Sequence, residues 1–317
     1  MQQLTNTGAP ARAARAHGRR GVTLIELMIT LVLLGIVAGG MMQIIVKQQK
    51  FYTGNSSVLG TRSNVRQGIA VFQSDLRAIN PGLDVYAGYM KSTLLAFREP
   101  RGNSVVCAFD KSTPNVIVVP PPVLSTDAIL TSWLQKPELG DSVLVYDPKG
   151  RAWVSAGYEI IGTAPSEGSG ACAGIAPAAD WSRGWKLTLK SDVIANLPDT
   201  LALGASVRFY RRATYALKQA ADNEWYLSFS DCNPARATPC SDTIPIAGPY
   251  LAASNTPPGL QLEYFDASGS ATTTPSALRR IDITLRSQGT TPVDMDGRAK
   301  GFYRDSLKTS LALRNAP

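Results

Sequence analysis

"RRGVTLIELMITLVLLG", Arg19–Gly35, sets two arginines and a glycine before an apolar run and then places a carboxylate, Glu26, inside it. From Val22 to Val46 the only polar residues are Thr23, Glu26, Thr30 and Gln43. At about 1.5 Å per residue, a helix of that length reaches across a hydrocarbon core of about 30 Å. An ionised carboxylate at that depth is expensive, so Glu26 calls for a partner and a purpose. Arg12, Arg15, Arg19 and Arg20 precede the run with no acidic residue among them, which predicts a cytoplasmic leader and the bulk of the chain outside.

A cleaved secretory signal has a short apolar stretch and a small-residue site, whereas this run continues past "GIVAGGMM" into a further helical pattern. A plain anchor fits the hydropathy and leaves Glu26 unexplained. The order Gly21, Val22, Thr23, Leu24, Ile25, Glu26, Leu27, with the basic leader before and the apolar helix after, resembles the type IV prepilin signature. That resemblance implies cleavage after Gly21 by a prepilin peptidase and methylation of the new amine on Val22. The amine would then be a cation at the end of an apolar rod, and Glu26 the anion available to meet it, within a subunit or between neighbours. Such a pair pins register, because a slip of one turn leaves both charges unpaired. Gly35 and Gly39, four apart on one face, would let another helix backbone approach closely, although glycine is also simply frequent in membrane helices.

Beyond Val46 the pattern becomes amphipathic. Val65, Ile69, Phe72, Leu76 and Ile79 recur in steps of four and three, and Asn80-Pro81-Gly82 ends the helix. Gly54 and the "GNSS" stretch are places where it could loosen. Alternation in "LQLEY", "RRIDITLR" and Leu307–Leu313, together with "SVVCAFD", "NVIVVP", "DSVLVYD", "WKLTLK", "ASVRFY" and "EWYLSFS", predicts strands, with Pro and Gly clusters such as "GTAPSEGSGACAG" as loops. The expected fold class is α+β. It has a long pilin-like helix, with a transmembrane half over 22–46 and an amphipathic half over 47–81, packed on a mainly antiparallel β head over 82–317. Residues 1–21 form the leader. A division of the head into two subdomains would fall near Gly162–Ala179.

The segment "GIAVFQSDLRAIN", Gly68–Asn80, resembles the helix end of PilW minor pilins and of the related J-type pseudopilins of type II secretion. A head larger than that of a typical major pilin favours a low-abundance subunit. The resemblance implies a structural subunit, not an enzyme, without cofactors. Its partners would be the prepilin peptidase, other pilins, the cytoplasmic membrane and a pilus assembly platform. Its destination would be the pilus and cell surface, in pilus assembly and in adhesion, motility or DNA uptake. A J-like pseudopilin and a membrane-anchored extracytoplasmic adhesin are the alternatives.

Composition narrows the chemistry. The only histidine, His17, lies in the leader, so nothing beyond Gly21 can build a histidine-based nucleophile or metal site. The net charge of +8 falls to +4 without the four leader arginines, so pI alone is no case for nucleic-acid binding. Four cysteines downstream of a membrane signal suit two disulfides in an oxidising compartment. Three pairings exist. The short loop "DCNPARATPC" favours Cys232 with Cys240, and so Cys107 with Cys172, with four buried thiols as the alternative. "VRFYRRATY" interleaves Arg208, Arg211 and Arg212 with Phe209, Tyr210 and Tyr215, as single-strand nucleic-acid binders do, but a strand with one wet face has the same pattern. In "VDMDGRAKG", Asp294 and Asp296 lack the remaining ligands of an EF-hand loop and read as a turn. "GSGACAG" has neither P-loop nor dinucleotide spacing.

Overall fold

The computed structural model describes residues 22–77, 79–110, 115–165, 172–190, 200–238, 240–293 and 301–315. The chain divides into two units, one ending at Asn55 and the other running over Ser56–Pro317. Helix α1 (Leu24–Leu76) contributes to both, and Gly54 and the residues after it are helical.

In the first unit every apolar side chain from Val22 to Ile45 is about half exposed or more, as expected of a segment whose partners are lipid or other chains. It meets the length and hydropathy of a membrane span.

In the second unit the helix becomes one-sided. Thr61, Val65, Gly68, Ile69, Phe72 and Leu76 form its buried stripe. The helix stops at Leu76, one turn short of the periodic pattern's last member, Ile79. Asn80 is extended (φ −93°, ψ 108°) because the following Pro81 disfavours a helical residue before it. Pro81 then opens a single turn, α2 (Pro81–Asp84), whose Asp84 side chain accepts the Asn80 N–H at 2.8 Å.

Fourteen strands follow among the described residues: β1 (Val85–Lys91), β2 (Leu94–Val105), β3 (Ala108–Asp110), β4 (Val116–Val119), β5 (Ser132–Trp133), β6 (Ser142–Asp147), β7 (Ala152–Pro165), β8 (Trp185–Leu189), β9 (Ser206–Gln219), β10 (Trp225–Cys232), β11 (Asp242–Tyr250), β12 (Leu260–Phe265), β13 (Arg280–Val293) and β14 (Gly301–Ala312). Eleven of them form one sheet with the path β1-β2-β9-β6-β7-β8-β4-β3, with β10 and β11 continuing from β9 and β5 from β2. Strands β12-β13-β14 form a second sheet. Every pairing is antiparallel.

The helix stripe fills the space between the two sheets. Val65, Ile69, Phe72 and Leu76 share a core with Leu95, Phe97, Tyr215 and Leu227 of the large sheet and with Leu262, Ile283, Leu285 and Leu311 of the small one. A second core, around Val143, Tyr158, Ile160, Leu187 and Phe209, lies among β4, β6, β7, β8 and β9. These strands lie on both sides of the Gly162–Ala179 stretch, and the head residues form one unit. Gly162–Pro165, which reads as loop in the sequence, finishes β7 and pairs with β8.

Gly68 lies inside the helix, where glycine costs about 1 kcal/mol relative to alanine. A Cβ there would collide with the Tyr250 hydroxyl and the Leu285 side chain. Tyr250 itself donates to the Asn64 carbonyl at 2.7 Å. Gly68→Ala is therefore expected to destabilise the head by about 1–3 kcal/mol, overpacking outweighing the helix-propensity gain. Urea titration of the two proteins measures the difference, and an unchanged or raised midpoint would contradict it.

Candidate functional site

Two regions carry the residues singled out by sequence. The first is the start of α1. Gly21 and the leader lie outside the described residues. Val22 and Thr23 precede the helix, and the Glu26 N–H donates to Thr23 Oγ1 at 3.3 Å. Thr23 is thus the N-cap, and Thr23-x-x-Glu26 has the spacing of a capping box. The sequence signal for this cap is the threonine three residues before Glu26. Glu26 is exposed and makes no ion pair among the described residues. Its carboxylate sits in the first turn, where the helix dipole favours negative charge. A Cβ added at Gly35, Gly39 or Gly40 would meet nothing within 4 Å, so no packing against the described residues requires these glycines.

The second region is the head around β9. The structure pairs Cys107 with Cys172 and Cys232 with Cys240. The first bond lies in a small core with Val118, Leu124 and Ala176. Beside it, Asp180 accepts from the backbone and side chain of Ser125, both at 2.8 Å, and from Arg183 at 2.7 Å. The Ser125 backbone bond leads the set that holds this carboxyl below its ordinary range.

The three arginines of β9 separate by face. Arg211 points inward and is 3% exposed. It bonds Asp141 through Nε, Asp231 through Nη1 at 2.9 Å and Glu138 through Nη2 at 3.3 Å. Arg101 of β2 joins the cluster at Asp231 (3.1 Å), so Arg211 is a structural cation unavailable to an outside phosphate. Arg208 and Arg212 point to the opposite, partly open face. Tyr215, another member of the motif, is in the main core, donating to Asp75, and Phe209 is in the second core.

On the open face other residues come together that the sequence did not advertise. Arg98 of β2 stands directly across from Arg212, with its guanidinium 5.4 Å from the Tyr86 ring and 4.7 Å from the Tyr210 ring. Arg212 lies 5.4 Å from the Tyr89 ring, and Arg208 lies 5.6 Å from Trp153. Burial, together with the nearby Tyr210, pushes the Tyr86 phenol up to about 12. These partners come from β1, β2 and β7, so only the strand order reveals them.

Among the described residues no group of three or more His, Cys, Asp or Glu side chains is arranged to hold a metal. Asp294 and Asp296 lie outside the described residues. The family model for the prokaryotic N-terminal methylation motif matches residues 17–42. Neither a curated protein nor a solved structure matches the chain. The motif supports a type IV pilin-like or pseudopilin-type precursor, and with it processing by prepilin peptidase and assembly with other pilins.

Proposed function

We propose that this chain is a low-abundance, PilW-like subunit of a type IV filament, inserted in the cytoplasmic membrane as a single-pass precursor, cut after Gly21 and assembled through α1. It acts as a structural subunit and a substrate of the peptidase, not as an enzyme. One observation carries the reading. A glutamate stands at the fifth position after the glycine of the methylation motif, in an apolar helix left uncovered by its own chain, and the same helix continues into the core of a large β head. The glycines without an internal packing role support assembly through that helix.

The test is the N-terminal mass of the intact protein from cells with and without the prepilin peptidase. The expected product begins at methylated Val22 only when the peptidase is present. An unprocessed chain in both strains would reduce α1 to an anchor and remove the filament reading.

A further inference from the structure

On the open face of the large sheet, Arg98, Arg208 and Arg212 have Asp84 as their one ion-pairing carboxylate among the described residues, while Glu159 shares the face across Ser142, on β7. Arg98 and Arg212 face each other across the β2–β9 register, an arrangement of like charges that destabilises a sheet unless something offsets it. Neither makes an ion pair among the described residues. Arg98 donates to the Leu83 carbonyl, and Arg212 reaches the Tyr89 hydroxyl at 3.5 Å and Cys240 Sγ at 3.6 Å. Arg208, about 13 Å from Arg212 along the strand, has Asp84 at 3.6 Å. Each guanidinium lies beside an aromatic ring. Tyr89 is 40% exposed, and Trp153, in edge contact with Tyr146 at 5.5 Å, is half-buried. The pattern is two cations without an ion pair among the described residues and a third beside Asp84, interleaved with partly exposed rings, on a sheet whose other face is the core.

We infer that this face binds single-stranded nucleic acid, with Arg98, Arg208 and Arg212 on the phosphates and Tyr89 and Trp153 beneath the bases. Charge complementarity calls for a polyanion, since among the described residues no carboxylate forms an ion pair with Arg98 or Arg212. The rings choose among polyanions, because a flat π surface beside each cation suits a base and gives a polymer of charge alone nothing to stack on. Arg211 takes no part, which corrects the sequence motif from three consecutive-strand arginines to two of them plus Arg98. The inference does not depend on filament assembly.

The experiment uses the full processed chain in detergent and a fluorescein-labelled oligothymidine strand, read by anisotropy across a salt series. Binding should weaken with salt at a log–log slope of about −2, the value for three phosphates on a single strand. The double variant Arg208→Gln/Arg212→Gln should lower that slope to about −0.7 and raise Kd by about tenfold or more at low salt. Tyr89→Ala should raise Kd by about tenfold with the slope unchanged, a signature of lost stacking. Arg66→Gln, on the exposed side of α1 across the sheet, should alter neither. Thermal midpoints within a few degrees of the parent establish that each variant is folded. Absence of binding by the parent, or an unchanged slope in the double variant, overturns the proposal. So does equal binding of a polyuronate with no effect of Tyr89→Ala, which would make the face a general anion surface.

Discussion

Glu26→Gln is expected to insert into the membrane as the parent does and to fall by about a hundredfold or more in the filament fraction. After the proposed cleavage, the amine on Val22 and the Glu26 carboxylate would be the two charges at the start of an otherwise apolar segment that the other described residues leave exposed. Removing one partner of a buried pair costs about 3–5 kcal/mol, and each 1.4 kcal/mol is a factor of about ten in an equilibrium. The helix itself should survive. The cap bond runs from the Glu26 backbone N–H to Thr23 Oγ1 and does not involve the carboxylate, whose contribution through the helix dipole is at most about 1 kcal/mol. The measurement is the ratio of variant in sheared filaments to variant in membranes, at matched expression. A ratio equal to that of the parent would sink the pairing and leave the Glu26 carboxylate only its favourable place at the helix N-terminus.

The head should respond most sharply to loss of Arg211. Arg211→Gln leaves Asp141, which is fully buried, without its ionic partner, and takes from Asp231 one of its guanidinium contacts. Burial works against the charge on Arg211, yet its bonds to Asp141 and Asp231 hold the guanidinium more firmly protonated than usual. Breaking such a set costs about 3–5 kcal/mol, equivalent to a melting temperature lower by about 10 °C in a domain of this size. Arg212→Gln, one residue along on the other face, should shift it by a degree or two. Thermal unfolding of both variants beside the parent checks the contrast. Equal, small shifts would mean that the cluster is solvated and stabilises little.

The contrast shows what was legible in the sequence and what was not. The anchor segment, the stripe from Val65 to Leu76 and strands such as Leu260–Tyr264 are local patterns, since their period of 3.6 or 2 is visible without knowing what they pack against. Strand β7 was hidden because Gly162 and Pro165 resemble loop residues, and they are tolerated there because β8 supplies the pairing. Strand β11 was missed for a similar reason, with Pro245 and Pro249 inside it. The direction of Arg211 could not be read from "VRFYRRATY", where two adjacent arginines look alike. Alternation dictates that one of them goes inward, but the acids waiting for it, Asp141 and Asp231, come from different elements. The open face was still less legible, because Tyr86, Arg98 and Trp153 meet the β9 arginines only through the strand order β1-β2-β9-β6-β7.

That strand order also fixes a timetable. Strand β9 joins β2, β6 and β10, and Leu94 of β2 has no neighbour on that side until Ala216 has been made and exported. The helix stripe waits longer still, for Leu262 and Ile283 near the end of the chain. Contacts this distant in sequence close slowly. During synthesis, therefore, Val65, Ile69, Phe72 and Leu76 stay without their small-sheet partners until the last strands of the chain are made.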